Sequence, residues 1–188
     1  MAGGRTASLL RTVLVALALA VLFSTDAGMA MALTLTSPAF QPGGKIPSRF
    51  TCEGDDRSPP LAIDGVPAGA KSLALVIDDP DAPDPKAPQR VWVHWVVFNL
   101  PPETKSLAEN AGSQGLPNGA MTGTNDRKQN AYHGPCPPIG RHRYFHKLYA
   151  LDIALPPAPL TKAALEAAMQ GHVLAQAELI GTYQKGDP

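Results

Sequence analysis

The sequence predicts a mostly-β fold in a single domain, and three observations indicate it. Pro and Gly are abundant, 20 and 17 of 188 residues, and they are scattered, as expected for short strands joined by many turns. Segments with strand character come first along the chain, and the one helical pattern comes last. Strands and helices do not alternate, which argues against a doubly wound parallel sheet.

The first 32 residues are predicted to be a cleaved signal peptide that precedes the domain of residues 33–188. Arg5 and Arg11 form a positive segment, an apolar run of 11 residues covers 13–23, and Ala30-Met31-Ala32 supplies a small-residue cleavage site. The run is about half of the roughly 20 residues that a membrane-spanning helix needs, and a short membrane anchor is the alternative. We expect a periplasmic or secreted protein with no membrane span, and the signal does not distinguish these two locations.

Charge and cysteine content exclude several functional classes. Lys and Arg total 16, as do Asp and Glu, so no long-range charge attracts nucleic acid or an acidic membrane. The two cysteines, Cys52 and Cys136, lie too far apart for a CxxC metal or redox motif. In an exported protein they can form one disulfide bridge, and two buried free thiols are the alternative.

Strands and turns alternate through the first part of the domain. Residues 33–36 (LTLT) are predicted as a short strand, and turn signals follow throughout residues 41–67. The apolar run at residues 72–77 is a second strand, which Asp78-Asp79-Pro80 should end because proline interrupts strand pairing. Residues 91–100 (VWVHWVVFNL) have the strongest β character, and both faces are apolar, which predicts a central strand that is covered on both sides.

A loop, a strand and a helix complete the domain. Residues 101–131 are polar and Gly-rich, which predicts a long loop, and residues 142–153 predict another strand. A helix is predicted beyond Thr161, which can cap it, with Gly171 as a point where it could divide. The apolar stripe that predicts this helix consists of Leu165, Met169, Val173, Ala177 and Ile180.

Three segments carry side chains suited to a binding site, each with a plainer explanation. Asp78-Asp79-Pro80-Asp81 presents carboxylates at a predicted strand end, where a solvated acidic turn is the alternative. Trp92 and His94 share one face of a strand, and ordinary core packing also explains them. Residues 134–138 (GPCPP) are a rigid corner, which forms either the wall of a cleft or a simple turn.

A fourth segment adds hydrogen-bond donors to this set. His142 and Tyr144 share one face of their strand, and that face is polar for a core. A protonated imidazole and a phenol can both donate to an anion such as phosphate. Neighbouring carboxylates favour the charged form of imidazole. Together, the four segments predict a site for a small anionic ligand.

At these four segments the chain resembles the phosphatidylethanolamine-binding protein family, in its bacterial Raf-kinase-inhibitor-like (YbhB/YbcL-type) branch. The flanking sequence Phe50-Thr51-Cys52-Glu53-Gly54 is also similar, and the resemblance covers nearly all of residues 33–188. The motifs that carry it, in the family's order, are Asp79-Pro80-Asp81-Ala82-Pro83, Trp92-Val93-His94-Trp95, Gly134-Pro135-Cys136-Pro137-Pro138 and His142-Arg143-Tyr144.

The resemblance implies a large central antiparallel sheet, a smaller second sheet and a C-terminal helix. It also implies a pocket for phosphate or a phospholipid headgroup, without a cofactor and without a metal. The resemblance leaves open whether the chain binds a protein partner and whether it forms a homodimer. The residues that the resemblance assigns to the pocket are Asp79, Asp81, Pro83, Trp92, His94, Gly134, Pro138, His142 and Tyr144.

Three functions of different classes follow from these features. A binding protein for a small anion is the leading hypothesis, and an inhibitor of a protease or another enzyme is the alternative that the resemblance adds. A metal-dependent hydrolase would use ligands such as Asp79, Asp81, His94 and His142. We do not expect an enzyme, because the sequence has neither a His-Glu-x-x-His motif nor a Gly-x-Ser-x-Gly motif.

Overall fold

The computed structural model of the chain describes residues 32–187, so the predicted signal peptide lies outside the described residues except for its last position. Within this part of the chain, strands dominate and helices are few, as the sequence predicts. The strands are β1 (Thr34–Thr36), β2 (Leu61–Asp64), β3 (Ser72–Ala82), β4 (Arg90–Leu100), β5 (Ser106–Leu107), β6 (Met121–Thr122), β7 (His142–Leu151) and β8 (Val173–Tyr183), and the α-helices are α1 (Ala111–Gln114) and α2 (Lys162–Ala168).

The strands form two antiparallel sheets. The larger sheet has the order β6-β4-β3-β7-β8, and the smaller sheet has the order β1-β2-β5. β3 lies at the centre of the larger sheet, where Asp79 is opposite Trp92 of β4 and Asp78 is opposite Phe145 of β7. This topology confirms the predicted large antiparallel sheet with a smaller second sheet.

Apolar side chains cover both faces of the larger sheet. Both faces of β4 are therefore buried along most of its length, as predicted for residues 91–100. One core cluster joins the two sheets and includes Leu35, Leu61, Ile63, Leu75, Ile77, Trp95, Val97 and Leu148. The other cluster packs beneath α2 and includes Ala74, Val76, Val96, Phe98, Leu165 and Met169.

β3 continues through Pro80, although the sequence predicted that proline would end the strand. Pairing with β7 stops at Asp78, and the register with β4 shifts between Asp79 and Ala82. Pro80 therefore lies where the regular ladder is interrupted, and its missing N–H removes no regular bond. Adjacent strand residues point to opposite faces, so Asp78 and Asp79 do not share one acidic site.

The predicted helix beyond Thr161 is wrong in its length. Thr161 caps α2 through its hydroxyl oxygen, which accepts the N–H of Ala164 at 3.3 Å, and the helix ends at Ala168. Gly171 has a positive φ of 79°, and the chain turns there into β8. Side chains four positions apart, such as Met169, Val173 and Ala177, share one face in a strand as well as in a helix. Their apolar spacing therefore could not distinguish a strand from a helix. The last element is thus a strand, and Val173 is 42% exposed.

The long loop predicted at residues 101–131 is largely irregular. It contains only the short elements β5, α1 and β6. Between residues 32 and 187, no helix has both the length and the apolar character needed to cross a membrane.

Candidate ligand-binding site

A cavity of about 230 Å³ lies where β3, β4 and β7 meet two loops. The strands bring together residues that are distant in sequence, because β3 pairs with β4 on one side and with β7 on the other. The residues that line the cavity are Asp79, Ala82, Pro83, Arg90, Trp92, His94, Arg127, His133, Cys136, Pro137, Pro138 and His142. Six of the residues proposed from the sequence therefore line one cavity, namely Asp79, Pro83, Trp92, His94, Pro138 and His142.

Three other proposed site residues, Asp81, Gly134 and Tyr144, are not among the residues that line the cavity. Asp81 accepts hydrogen bonds from the backbone N–H and the guanidinium of Arg143, at 2.7 to 2.9 Å. Gly134 donates its N–H to Asp56, and a Cβ there would lie 2.3 Å from the Phe50 carbonyl oxygen, so only glycine fits. Tyr144 is 1% exposed.

His142 and Asp79 form a buried pair. Nδ1 of His142 lies 2.7 Å from Oδ2 of Asp79, and Nε2 lies 3.0 Å from the carbonyl oxygen of Ile139. A carbonyl only accepts, so Nε2 carries a hydrogen and donates it to Ile139. Both ring nitrogens thus have protein partners, and neither is free for a ligand. The sequence predicted that His142 donates directly to the ligand, whereas in this geometry it positions Asp79.

The pKa of Asp79 reflects its burial in the wall. Burial raises this pKa above the ordinary range for aspartate, against the opposing effect of hydrogen bonds from His142 and from the N–H of Asp81. A further hydrogen-bond donor in contact with Asp79 would therefore stabilise its ionised carboxylate.

His94 is neutral near pH 7, in contrast to the charged imidazole expected from the sequence. The residue is 3% exposed, and Nδ1 of its ring donates to the carbonyl oxygen of His133 at 2.7 Å. Burial lowers the pKa of His94 to about 4, because the charged ring would lose its hydration. With the hydrogen on Nδ1, the other nitrogen, Nε2, can only accept.

Two arginines in the wall were missed by the sequence argument. The guanidinium of Arg90 lies 4.3 Å from the centre of the Trp92 ring, and Arg127 lines the cavity from the loop after β6. Both side chains are exposed. Arg90 lies two positions before Trp92 on the same strand, so the shared strand face could have identified it as a site residue. Arg127 lies in an irregular loop, where no periodic pattern points to it.

His133 and Asp56 were also missed, and they connect the wall to a second loop. Nδ1 of His133 lies 2.9 Å from Oδ2 of Asp56, while Oδ1 accepts the N–H of Gly134. Burial pushes the pKa of Asp56 upwards, but these two hydrogen bonds outweigh it and lower the pKa. Asp56 therefore favours its ionised form and anchors residues 133 and 134.

Cys52 and Cys136 form a disulfide bridge, which is one of the two alternatives that the sequence left open. The two Cα atoms are 5.4 Å apart, and 84 positions separate the residues in sequence. Beside it, the N–H of Cys52 donates to the carbonyl of Pro135 at 3.1 Å. Since Cys136 lines the cavity, the bridge fastens one cavity wall to the loop that also contains Asp56.

The acidic and imidazole side chains of the cavity are paired with other protein groups. Among residues 32–187, no group of three or more His, Cys, Asp or Glu side chains is placed to hold a metal ion. Of the four residues considered for a hydrolase, Asp81 is bonded to Arg143 and His142 to Ile139. The cavity instead combines guanidinium groups with hydrogen-bond acceptors.

Comparisons with known proteins agree with this architecture. Residues 36–184 match the family model described as phosphatidylethanolamine-binding protein. A UPF0098 protein of Methanothermobacter thermautotrophicus is 52% identical over 156 residues, which are 82% of this chain and 100% of the relative. The solved structure of a phosphatidylethanolamine-binding protein homologue, CT736 of Chlamydia trachomatis, is 44% identical, with a TM-score of 0.76 over 82% of this chain and 98% of its own. Escherichia coli YbcL is 32% identical, with a TM-score of 0.74 and coverage of 82% and 99%.

Proposed function

The chain belongs to the phosphatidylethanolamine-binding protein family, and from this membership we propose that it is a binding protein that holds a small oxyanion in the cavity. The observation that carries the proposal is the pair of guanidinium groups, Arg90 and Arg127, in the cavity wall. Within residues 32–187 neither forms a salt bridge, so both charges are available to a ligand.

The shape and lining of the cavity suit a phosphate group with a small organic part. Arginine presents several N–H donors in a planar array that matches the oxygens of phosphate or carboxylate. Trp92, Pro83, Pro137 and Pro138 offer apolar contacts next to these donors. The volume of about 230 Å³ accommodates phosphoethanolamine but not a pair of lipid chains.

Calorimetric titration of the purified protein with inorganic phosphate and with phosphoethanolamine tests this proposal. We expect affinities of about millimolar, because such small ligands offer few atoms. Arg90→Ala and Arg127→Ala should each weaken binding about ten-fold, since each removes a charge-assisted hydrogen bond. Lys71→Ala is the matched control, because it removes an exposed charge at the opposite end of β3, roughly 30 Å away. Binding that is unchanged in the double arginine variant would overturn the proposal.

We also propose that the protein is exported to an oxidising compartment. The apolar run at residues 13–23 supports this, as does the disulfide, because such bridges persist mainly outside the reducing cytosol. N-terminal sequencing of the protein from its native host should find a start within a few residues of Leu33. An intact Met1 in the exported fraction would contradict export with cleavage.

A further inference from the structure

The polar groups of the cavity are divided into an exposed set and a buried set of opposite character. The exposed groups are the guanidinium groups of Arg90 and Arg127, which only donate hydrogen bonds. The buried groups include His94 and Asp79, which are 3% and 4% exposed. A ligand that only accepts hydrogen bonds can satisfy the first set but not the second.

His94 is the first buried acceptor. Nδ1 of His94 donates a hydrogen bond to the His133 carbonyl, so Nε2 is the ring nitrogen that remains for another partner. Nε2 is buried and has no hydrogen-bond partner among residues 32–187. A buried polar atom without a partner is unfavourable, and at the wall of a cavity it indicates contact with a ligand.

The surroundings of His94 keep its ring neutral. The ring packs against the rings of His133 and Tyr144, with centroid distances of 6.0 and 5.2 Å, and no carboxylate is hydrogen-bonded to it. His133, His146 and Asp56 are the titratable groups that act on it, and the two histidines oppose a positive charge while Asp56 favours one. Burial dominates and lowers the pKa of His94 to about 4, so Nε2 accepts throughout the neutral range.

Asp79 is the second buried acceptor. Asp79 lines the cavity with a carboxyl group, whose two oxygens already accept from Asp81 N–H and pair with His142 Nδ1. A carboxylate repels an oxyanion that has no hydrogen but accepts from one that does. The ring of Tyr144, which does not line the cavity, packs against His94, and its buried hydroxyl also has no hydrogen-bond partner in the described part of the chain.

From this arrangement we infer that the cavity selects an oxyanion that carries its own O–H group, such as hydrogen phosphate or a phosphomonoester monoanion, over an equally shaped anion without one, such as sulfate. The inference rests on the proposed function, because the guanidinium groups must attract the anion in either case. The ligand O–H donates to His94 Nε2 or to Asp79, while the remaining oxygens accept from Arg90 and Arg127. Sulfate has no hydrogen near pH 7, and it would place an oxygen lone pair against each acceptor.

Titration of the full processed protein with phosphate and with sulfate at pH 7.5 tests the inference without any variant. The two ions are matched in shape and are both mainly dianions, but only phosphate carries a hydrogen. We expect phosphate to bind at least about ten-fold more tightly, because a site with buried hydrogen-bonding groups rejects an analogue that leaves them unpaired. Methyl phosphate loses its hydrogen near pH 6, so its affinity should fall between pH 5.5 and pH 7.5, whereas that of inorganic phosphate should not.

The His94→Gln variant tests the role of the acceptor directly. The glutamine amide can offer a donor as well as an acceptor, so the ratio of phosphate affinity to sulfate affinity should fall towards one. If wild-type protein binds both ions equally, and both weaken in Arg90→Ala, the selectivity is refuted while the proposed function stands. If neither ion binds, the proposed function fails with it. Lys71→Ala should leave the affinity ratio unchanged.

Discussion

At the scale of single residues, the His142–Asp79 pair makes a structural contribution that the sequence argument did not anticipate. His142 is fully buried, and its two hydrogen bonds to Asp79 and Ile139 use both ring nitrogens. Removal of the ring would leave Asp79 buried beside an empty space and without its main partner. These contacts indicate that loss of the His142 side chain destabilises the fold as well as the cavity.

We therefore predict that His142→Ala lowers the free energy of unfolding by about 3 kcal/mol, the usual cost of breaking a buried pair. His142→Asn is the matched control, because its side-chain N–H can replace Nδ1 in the bond to Asp79 and should cost roughly half as much. Urea unfolding at pH 7 measures both values. Equal stability of His142→Ala and wild-type protein would show that the pair is dispensable for folding.

Because residues two positions apart on a strand share a face, the sequence could reveal some of the site residues but not others. Trp92 and His94 share a strand face, and Asp79 belongs to an acidic segment that directly follows an apolar run, so the local pattern was sufficient to propose these residues. His133 reaches the cavity because Asp56, 77 positions away, bonds to it. No local periodicity contains that information. The charge state of His94 also depends on burial by distant segments, which the sequence does not display.

At the scale of elements, the sequence predicted the ends of the strands and of the helix less accurately than their central parts. Strand character at residues 72–77 was clear, but the continuation through Pro80 depends on a register shift against β4. In β8, inward-facing positions alternate with outward-facing ones, from Ala175 to Tyr183. The small residues at some of these positions reduced the contrast between the two faces, and a helical spacing fitted the apolar residues equally well.

The disulfide is the element-scale feature with the largest predicted effect. It joins the loops at Cys52 and Cys136 across 84 positions, and the chain-entropy model gives a stabilisation on the order of 4 kcal/mol for a loop of this length. We expect reduction to lower the melting temperature by about 10 °C in a domain of this size. Thermal melting with and without reductant measures the difference. The Cys52→Ser/Cys136→Ser variant is the control, because reductant should not change its melting temperature. Equal melting temperatures of the reduced and oxidised wild-type protein would contradict the prediction.

At the scale of the whole molecule, two buried histidines make stability depend on pH. Burial lowers the pKa values of His94 and His146 to about 4, from an ordinary value of 6.5. The unfolded chain therefore binds protons at a higher pH than the folded chain does. Their contribution to stability is complete above pH 6.5 and is lost as the pH falls from 6.5 to 4. Asp79, with its raised pKa, opposes part of this loss because the folded state takes up its proton first.

We predict that the free energy of unfolding falls by about 2.5 kcal/mol per pH unit near pH 5, which corresponds to nearly two protons taken up on unfolding. Urea unfolding at pH 7, 6, 5.5 and 5 measures this slope. His146→Gln should reduce the slope by about half, since one of the two titrating groups is removed. A slope below that of one proton in the wild-type protein would show that these histidines are not neutral in the folded state.

The two tryptophans of β4 give the molecule separate optical reporters for two different events. Trp92 and Trp95 are the only tryptophans in the sequence. Trp92 lines the cavity beneath the Arg90 guanidinium, so its emission responds to whatever occupies that space. Trp95 is fully buried in the core, with the Tyr132 ring edge-on at 5.6 Å, and its emission changes only when the core opens to water. Intrinsic fluorescence can therefore distinguish occupancy from unfolding in the same sample, without an attached dye.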